Sequence, residues 1–361
     1  MSLRSSRGGR LDGCRAYIER CTAFNTRVKR FLQARGARAA SLCLPATSGG
    51  IARGATVLPR LGKRAAERLL VTAGGPKFGR WWHRHRAVIL AYHNIVPDGA
   101  GACGDRSLHL PRARFAEQLD RLSATHDVVT LEDLFQPHRQ PERPRAVITF
   151  DDAYRGSLEY GLVELSRRGM PATVFVAPGL LGDRAFWWDL LASPMSGEVP
   201  AELRDRALTS AHGLQDQVLE SLIPEASGVE RVPPHSRSAT EAELHAAVRR
   251  YDISIGSHTW SHANLTALDE KGVSQELRRS HGWLAERFDA VVPWLAYPYG
   301  IFSEAVERQA RESCEGALSL AGRIVPASVG PEERHRVPRI NIPAGISLDG
   351  FELRISGVLR P

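Results

Sequence analysis

From residue 87 onward, short apolar runs rich in Val and Ile alternate with longer stretches whose apolar residues recur at helical spacing. That alternation is the signature of βα units and of a parallel sheet. AVILAY (87–92) reads as a strand, PRARFAEQLDRLSATH (111–126) as a helix opened by Pro111, and RAVITF (145–150) as a second strand. A helix near 155–168 and the strand ATVFVA (172–177) follow, then a long insertion from about 180 to 238. The alternation resumes with helix TEAELHAAVRRY, strand ISIG (253–256), a helix near 269–288, strand WLAY (294–297), helix 303–313 and strand GALSL (316–320). Six or seven parallel strands with intervening helices predict an α/β fold, a closed or nearly closed β/α barrel. Barrels of this kind carry their chemistry at the C-terminal ends of the strands.

Four of those ends are polar: YHN after the first strand, DDAY after RAVITF, SHTWSH after ISIG, and YPYG after WLAY. The barrel would bring them to one rim. In VITFDDAYRGS one Asp suffices to cap the helix that follows, by accepting a backbone N–H, so the second needs another reason. His258 and His262 stand four residues apart, one local surface, and two imidazoles at that spacing can share a divalent ion if a carboxylate completes the set. Asp152 is the candidate third ligand, with Asp151 beside it as general base. The plainer alternative is that Asp151 caps a helix and Asp152 is solvated.

Charge divides the 361-residue chain. Residues 1–86 hold 19 of the 48 Lys and Arg but only three of the 40 acids, so this part is +16 and the remainder −8. Residues 1–80 read as a basic, low-complexity arm, disordered or loosely helical, ahead of a barrel domain over 81–361. Clustered Arg could touch an anionic membrane peripherally, or simply be a solvated tail. No motif marks a specific nucleic-acid site. No run approaches the roughly eighteen apolar residues of a membrane span, and AASLCLPA (39–46) is too short and too late for a signal peptide. The expected location is cytoplasmic or peripheral to the membrane. Five cysteines, Cys14, Cys21, Cys43, Cys103 and Cys314, form no paired framework.

The motifs TFDDAY, SHTWSH and YPYG, in this order at strand ends, resemble those of the polysaccharide deacetylases of the NodB-homology type, carbohydrate esterase family four. The resemblance covers about residues 87–342 and implies a distorted (β/α)7 barrel. It further implies removal of acetyl from an N-acetylated sugar, with Asp151 as catalytic base and Asp152, His258 and His262 as ligands to zinc or a similar divalent ion. The backbone amide of Tyr299 would help hold the oxyanion. The chain departs from the common pattern in two places: VVPWLAYPYG lacks the usual Arg before Pro-Tyr, and no Leu-His pair follows the last strand. AYHNIVP matches instead a circularly permuted branch whose acid comes from a Tyr-His pair at the first strand, which makes His93 the candidate acid, with His335 and His281 behind it. The missing Arg leaves Asp151 without its usual partner; RVPRINIP offers Arg336 and Arg339 in its place, and Arg339, just before the apolar INI, is favoured as pointing to the rim, where it is also a candidate substrate contact. Trp188, or its neighbour Trp187, could stack on a sugar, although paired tryptophans beside Leu190 and Leu191 are more often core. The same site could instead cleave an O-acetyl ester or a cyclic amide, or belong to an inactive carbohydrate-binding protein.

Overall fold

The computed structural model describes residues 57–101, 103–136, 142–222, 232–326 and 328–359. Cys14, Cys21, Cys43 and most of the basic arm lie outside the described residues. Residues 59–361 form one compact unit, which carries the fold.

Strands β1 (Ala87–Tyr92), β2 (Arg145–Phe150), β3 (Ala172–Val176), β4 (Ile253–Ser257), β5 (Val291–Ala296) and β6 (Gly316–Ser319) form at the apolar runs and pair in parallel in that order. Two short strands complete the ring: β7 (Val337–Pro338) pairs with Leu318 and Ser319 of β6, and β8 (Ile340–Asn341) with Leu90 and Ala91 of β1. A single chain segment, broken only at Arg339, thus joins the first stave to the last. Counted as one stave, β7 and β8 make the seventh of a distorted (β/α)7 barrel.

Alternate residues of each strand divide between two cores, as the two-residue period of a strand requires. Val88, Leu90 and Tyr92 of β1, with Ile148 and Phe150 of β2, pack outward on Phe115, Leu119, Leu162 and Leu244 of the surrounding helices. Ala87, Ile89, Val147, Phe175, Trp294 and Leu318 fill the lumen. Gly256 is required there, since a Cβ would lie 2.4 Å from the Phe175 ring. The lumen row of β1 runs on to His93 and that of β2 to Thr149 and Asp151, so strand periodicity alone aims these groups inward above the filled lumen. Helix starts are set by local capping: Thr240 and Glu243 form a reciprocal box, and Asp269, Ser303 and Ser347 each accept an N–H of the turn they open.

The insertion contributes helices at Trp187–Leu191, Ala201–Thr209 and Gln215–Leu222 around its own core of Phe186, Trp187, Trp188 and Val218. Ahead of the barrel stand α1 (Val57–Thr72) and α2 (Gly75–Trp82). Glu67 of α1 is buried and accepts from the Ser347 hydroxyl at the start of the last helix, Leu348–Ile355. Gly79 of α2 lies so close to that helix's C-terminus that a Cβ would fall 2.4 Å from the Ser356 carbonyl oxygen. The packed unit therefore begins ahead of the boundary at residue 80 that charge suggested, because a handful of small or buried contacts anchors two otherwise basic helices. Among the described residues no helix is long and apolar enough to cross a membrane. A chain beginning at residue 57 should melt close to the full chain, whereas one beginning at residue 84 should melt roughly 5 °C or more lower, measured by calorimetry.

Candidate active site

Asp151 follows directly on β2, its N–H donating to the Tyr92 carbonyl at 2.9 Å and extending the ladder by one residue. Its carboxylate meets Arg339, which fills the break between β7 and β8 and is fully buried. Nη1 and Nη2 of Arg339 donate to the two carboxylate oxygens at 2.7 and 2.8 Å, and Nη1 also donates to the Thr149 hydroxyl at 3.1 Å. The sequence favoured Arg339 over Arg336 as the partner Asp151 would otherwise lack, and also offered it as a substrate contact; it is fully buried and gives both terminal nitrogens to Asp151. Arg336, the alternative, turns outward to Glu307 at 3.2 Å.

Burial would raise the Asp151 carboxyl, yet the Arg339 guanidinium, with His258 beside it, holds it well below the usual carboxylate range. Asp152 goes the other way. Burial, then the neighbouring charge of Asp151, lifts its pKa well above the ordinary value. Among the described residues one guanidinium is paired with Asp151, and no Lys or Arg is paired with Asp152.

His258 Nε2 and His262 Nε2 approach Asp152 Oδ1 at 3.6 and 3.3 Å, and the three ligand atoms all lie within 4.8 Å of one another. Asp152 Oδ1 is buried without a hydrogen-bond partner among the described residues. The ring of His258 is oriented by Nδ1–H donating to the Ala296 carbonyl at 2.7 Å, which leaves the Nε2 lone pair directed at Asp152. Burial lowers the pKa of both imidazoles, so both are neutral near pH 7. An orphaned carboxylate oxygen and two imidazole lone pairs converging on one point fit a divalent ion with an N2O donor set.

Strain marks the same place. Of the seven non-glycine residues with positive φ among the described residues, Asp152, Ala153, Thr259, His262 and Tyr299 lie at these strand ends. Such backbone persists only where its surroundings enforce it, and it concentrates at functional sites. Tyr299 has φ 58 and sets its ring 4.5 Å from that of His262. His93 is half-buried at the head of β1. Burial takes its pKa down to about 4 against the opposing pull of the Asp151 charge, so it rests neutral. His335 is bonded to the Cys314 carbonyl at 2.9 Å and His281 sits on the outer helix Glu270–Arg287, so neither joins the rim group.

Trp188 is only 4% exposed and stacks at 4.8 Å on Phe186. That leaves it little surface for a sugar; its ring instead packs 5.0 Å from His262. What holds it there escaped the sequence reading. Asp189 accepts from the Tyr154 hydroxyl and from the Asp105 N–H, each at 2.9 Å, and pairs with His109 Nε2 at 2.9 Å. Tyr154 OH in turn accepts the Trp188 indole N–H at 2.7 Å. An acid embedded in the apolar run FWWDLL was the available signal, since a buried carboxylate must be paired.

A family model described as polysaccharide deacetylase matches residues 138–314. No curated protein matches the sequence. Among solved structures, a polysaccharide deacetylase from Bacillus cereus, BC0361, is similar at TM-score 0.54 and 16% identity, over 75% of this chain and 69% of that one. The Streptococcus pyogenes deacetylase PplD in complex with acetate is similar at 0.51 and 16%, over 75% and 98%. A de-N-acetylase from Aggregatibacter actinomycetemcomitans is similar at 0.52 and 16%, over 74% and 99%. The matched stretch contains Asp151, Asp152, His258, His262 and Tyr299; His93 and Arg339 flank it on either side.

The Arg339 pair gives a quantitative expectation. Removing one member of a fully buried ion pair strands the other charge, so Arg339→Ala should lose about 3–5 kcal/mol by denaturant unfolding. Adding Asp151→Asn should recover part of that loss; strictly additive losses would mean that the two side chains do not interact.

Proposed function

Because the chain belongs to the polysaccharide deacetylase family, we propose that it is a metal-dependent hydrolase that removes acetyl from an N-acetylated sugar, such as an N-acetylhexosamine in a glycan, glycolipid or precursor. The observation that carries this reading is the division between two adjacent aspartates, one fastened to Arg339 and the other left facing two imidazoles with no cation of its own. Asp152, His258 and His262 would hold the ion, zinc being well suited to two imidazoles and a carboxylate. When bound, such an ion supplies Lewis acidity toward the acetyl carbonyl and toward water. The similarity to a de-N-acetylase favours the amide over an ester as substrate.

The chain's own groups then divide the proton work. Asp151, kept anionic by Arg339, takes a proton from the water whose oxygen bonds to the acetyl carbon. The Tyr299 backbone N–H, held at the rim by its strained turn, helps stabilise the negative charge that develops on the former carbonyl oxygen. When the C–N bond breaks, the departing nitrogen needs a proton, and His93 supplies it. His93, neutral at rest with a pKa of about 4, takes up during the cycle the proton that Asp151 removed from the water and passes it to that nitrogen, which returns Asp151 to its carboxylate. Free amine and acetate leave. The position of β1 between β2, which ends in Asp151, and β8 is what lets a histidine from the first strand serve this role, and it favours the circularly permuted branch.

Acetate release from N-acetylglucosamine oligomers, lost with chelator and restored by zinc, is the expected behaviour. Release from O-acetylated sugars alone would replace the amide reading with an esterase one, and release unaffected by chelator would remove the ion from the reaction. His93→Ala should lower turnover of the amide by roughly 10² to 10⁴-fold, and much less for an acetyl ester with a phenolate leaving group that needs little protonation. Equal small losses on both substrates would exclude His93 as the acid. A histidine that had to be cationic beforehand would make kcat/KM fall about tenfold per pH unit above 4; no such fall is expected between about pH 5 and 7.

A further inference from the structure

Four large apolar side chains stand exposed among the described residues, and three of them, Leu69, Trp81 and Trp82, belong to α1 and α2, at 57, 49 and 58% exposure. Trp81 and Trp82 gather with Phe78 at ring separations of 6.0 to 6.2 Å, a knob rather than a groove. Residues 75–86 add Lys77, Arg80, Arg84 and Arg86 and no acid. Beside them opens a cavity of about 350 Å³ lined by His83, Arg86, Arg323, Arg336 and Arg354, with Glu333 the acid among them. His83 ends α2 and lines this cavity, so knob and cavity adjoin.

We infer that this end of the barrel docks on an anionic membrane surface, the two indoles entering the headgroup layer and the arginine-lined cavity taking a lipid phosphate. Indole rings with one apolar body and one polar N–H favour the membrane interface, and clustered Arg adds attraction to anionic lipid. Guanidinium groups match phosphate in both charge and hydrogen-bond geometry. Nucleic acid would instead call for aromatics spread along a groove, where successive bases stack. Residue 86 abuts the start of β1, and a six-residue strand spans about 20 Å, so the indole knob lies toward the strand ends opposite Asp151, while the cavity runs from there up the outside of the closing stave to Pro338 and Ile340. The docked protein therefore presents its rim away from the bilayer, toward glycan chains or soluble sugar. This inference does not depend on the reaction proposed above.

The test is flotation of the full chain with phosphatidylcholine vesicles, with and without about 30% phosphatidylglycerol, at roughly 50 and 500 mM salt. Binding is expected only with the anionic lipid, weakened by salt and accompanied by a blue shift of Trp emission. Trp81→Ala/Trp82→Ala should weaken it about tenfold or more, and Arg86→Glu/Arg323→Glu by at least as much, both at unchanged melting temperature. Binding that neither variant alters would overturn the inference by assigning attachment to residues outside this face. So would complete displacement by millimolar inorganic phosphate, which would make the cavity a free-anion site, or tighter binding to a single-stranded oligonucleotide than to vesicles.

Discussion

The bidentate pair between Arg339 and Asp151 is the constraint on which the rest of the molecule turns. It sits where the barrel closes, at the one residue separating the half-strand that pairs with β6 from the half-strand that pairs with β1. Closing the sheet therefore delivers a guanidinium to the lumen, and the lumen row of β2 delivers a carboxylate to meet it. Desolvating both charges is costly, and short bidentate geometry with a further bond to Thr149 is what offsets that cost.

The pair also settles what its neighbour becomes. With Arg339 spent on Asp151, Asp152 faces a buried environment already holding one negative charge, and its ionisation requires a cation from elsewhere. His258 and His262, neutral and aimed by their backbone, offer no charge, only lone pairs. A divalent ion, as proposed, would satisfy all three. Adjacent carboxylates at a strand end thus have their acidities driven in opposite directions by their surroundings, and the two tasks proposed for them would follow from that.

Much of this could be read before the fold was known. AVILAY and RAVITF form strands over the very residues expected, because long apolar runs between helical stretches leave little choice of conformation. The paired aspartates and the histidines four apart were legible as one group because a helix cap needs only one Asp and because both motifs stand at strand ends that a barrel brings to one rim. The closing stave was not: Val337–Pro338 and Ile340–Asn341 are each two residues long and pair with different neighbours, too short for any periodicity to register. Arg339 could therefore be favoured as the partner of Asp151, but not the bidentate geometry or the place in the closing stave that deliver it. For Trp188 the sequence left a platform and a core position open, since the anchor that buries it, Asp189 with Tyr154 and His109, is assembled from distant segments. Net charge likewise concealed that α1 and α2 belong to the packed unit, since a few buried atoms at Glu67 and Gly79 outweigh many solvated arginines.

The division of labour between the two aspartates can be measured without reference to any substrate. Metal content of purified Asp151→Asn and Asp152→Asn, by elemental analysis after dialysis against zinc, separates the roles directly. Asp151→Asn should retain close to one zinc per chain, because the ligand set is intact, while Asp152→Asn should lose it. Zinc retained by Asp152→Asn and lost from Asp151→Asn would contradict the account, for the carboxylate fastened to Arg339 would then be the ligand.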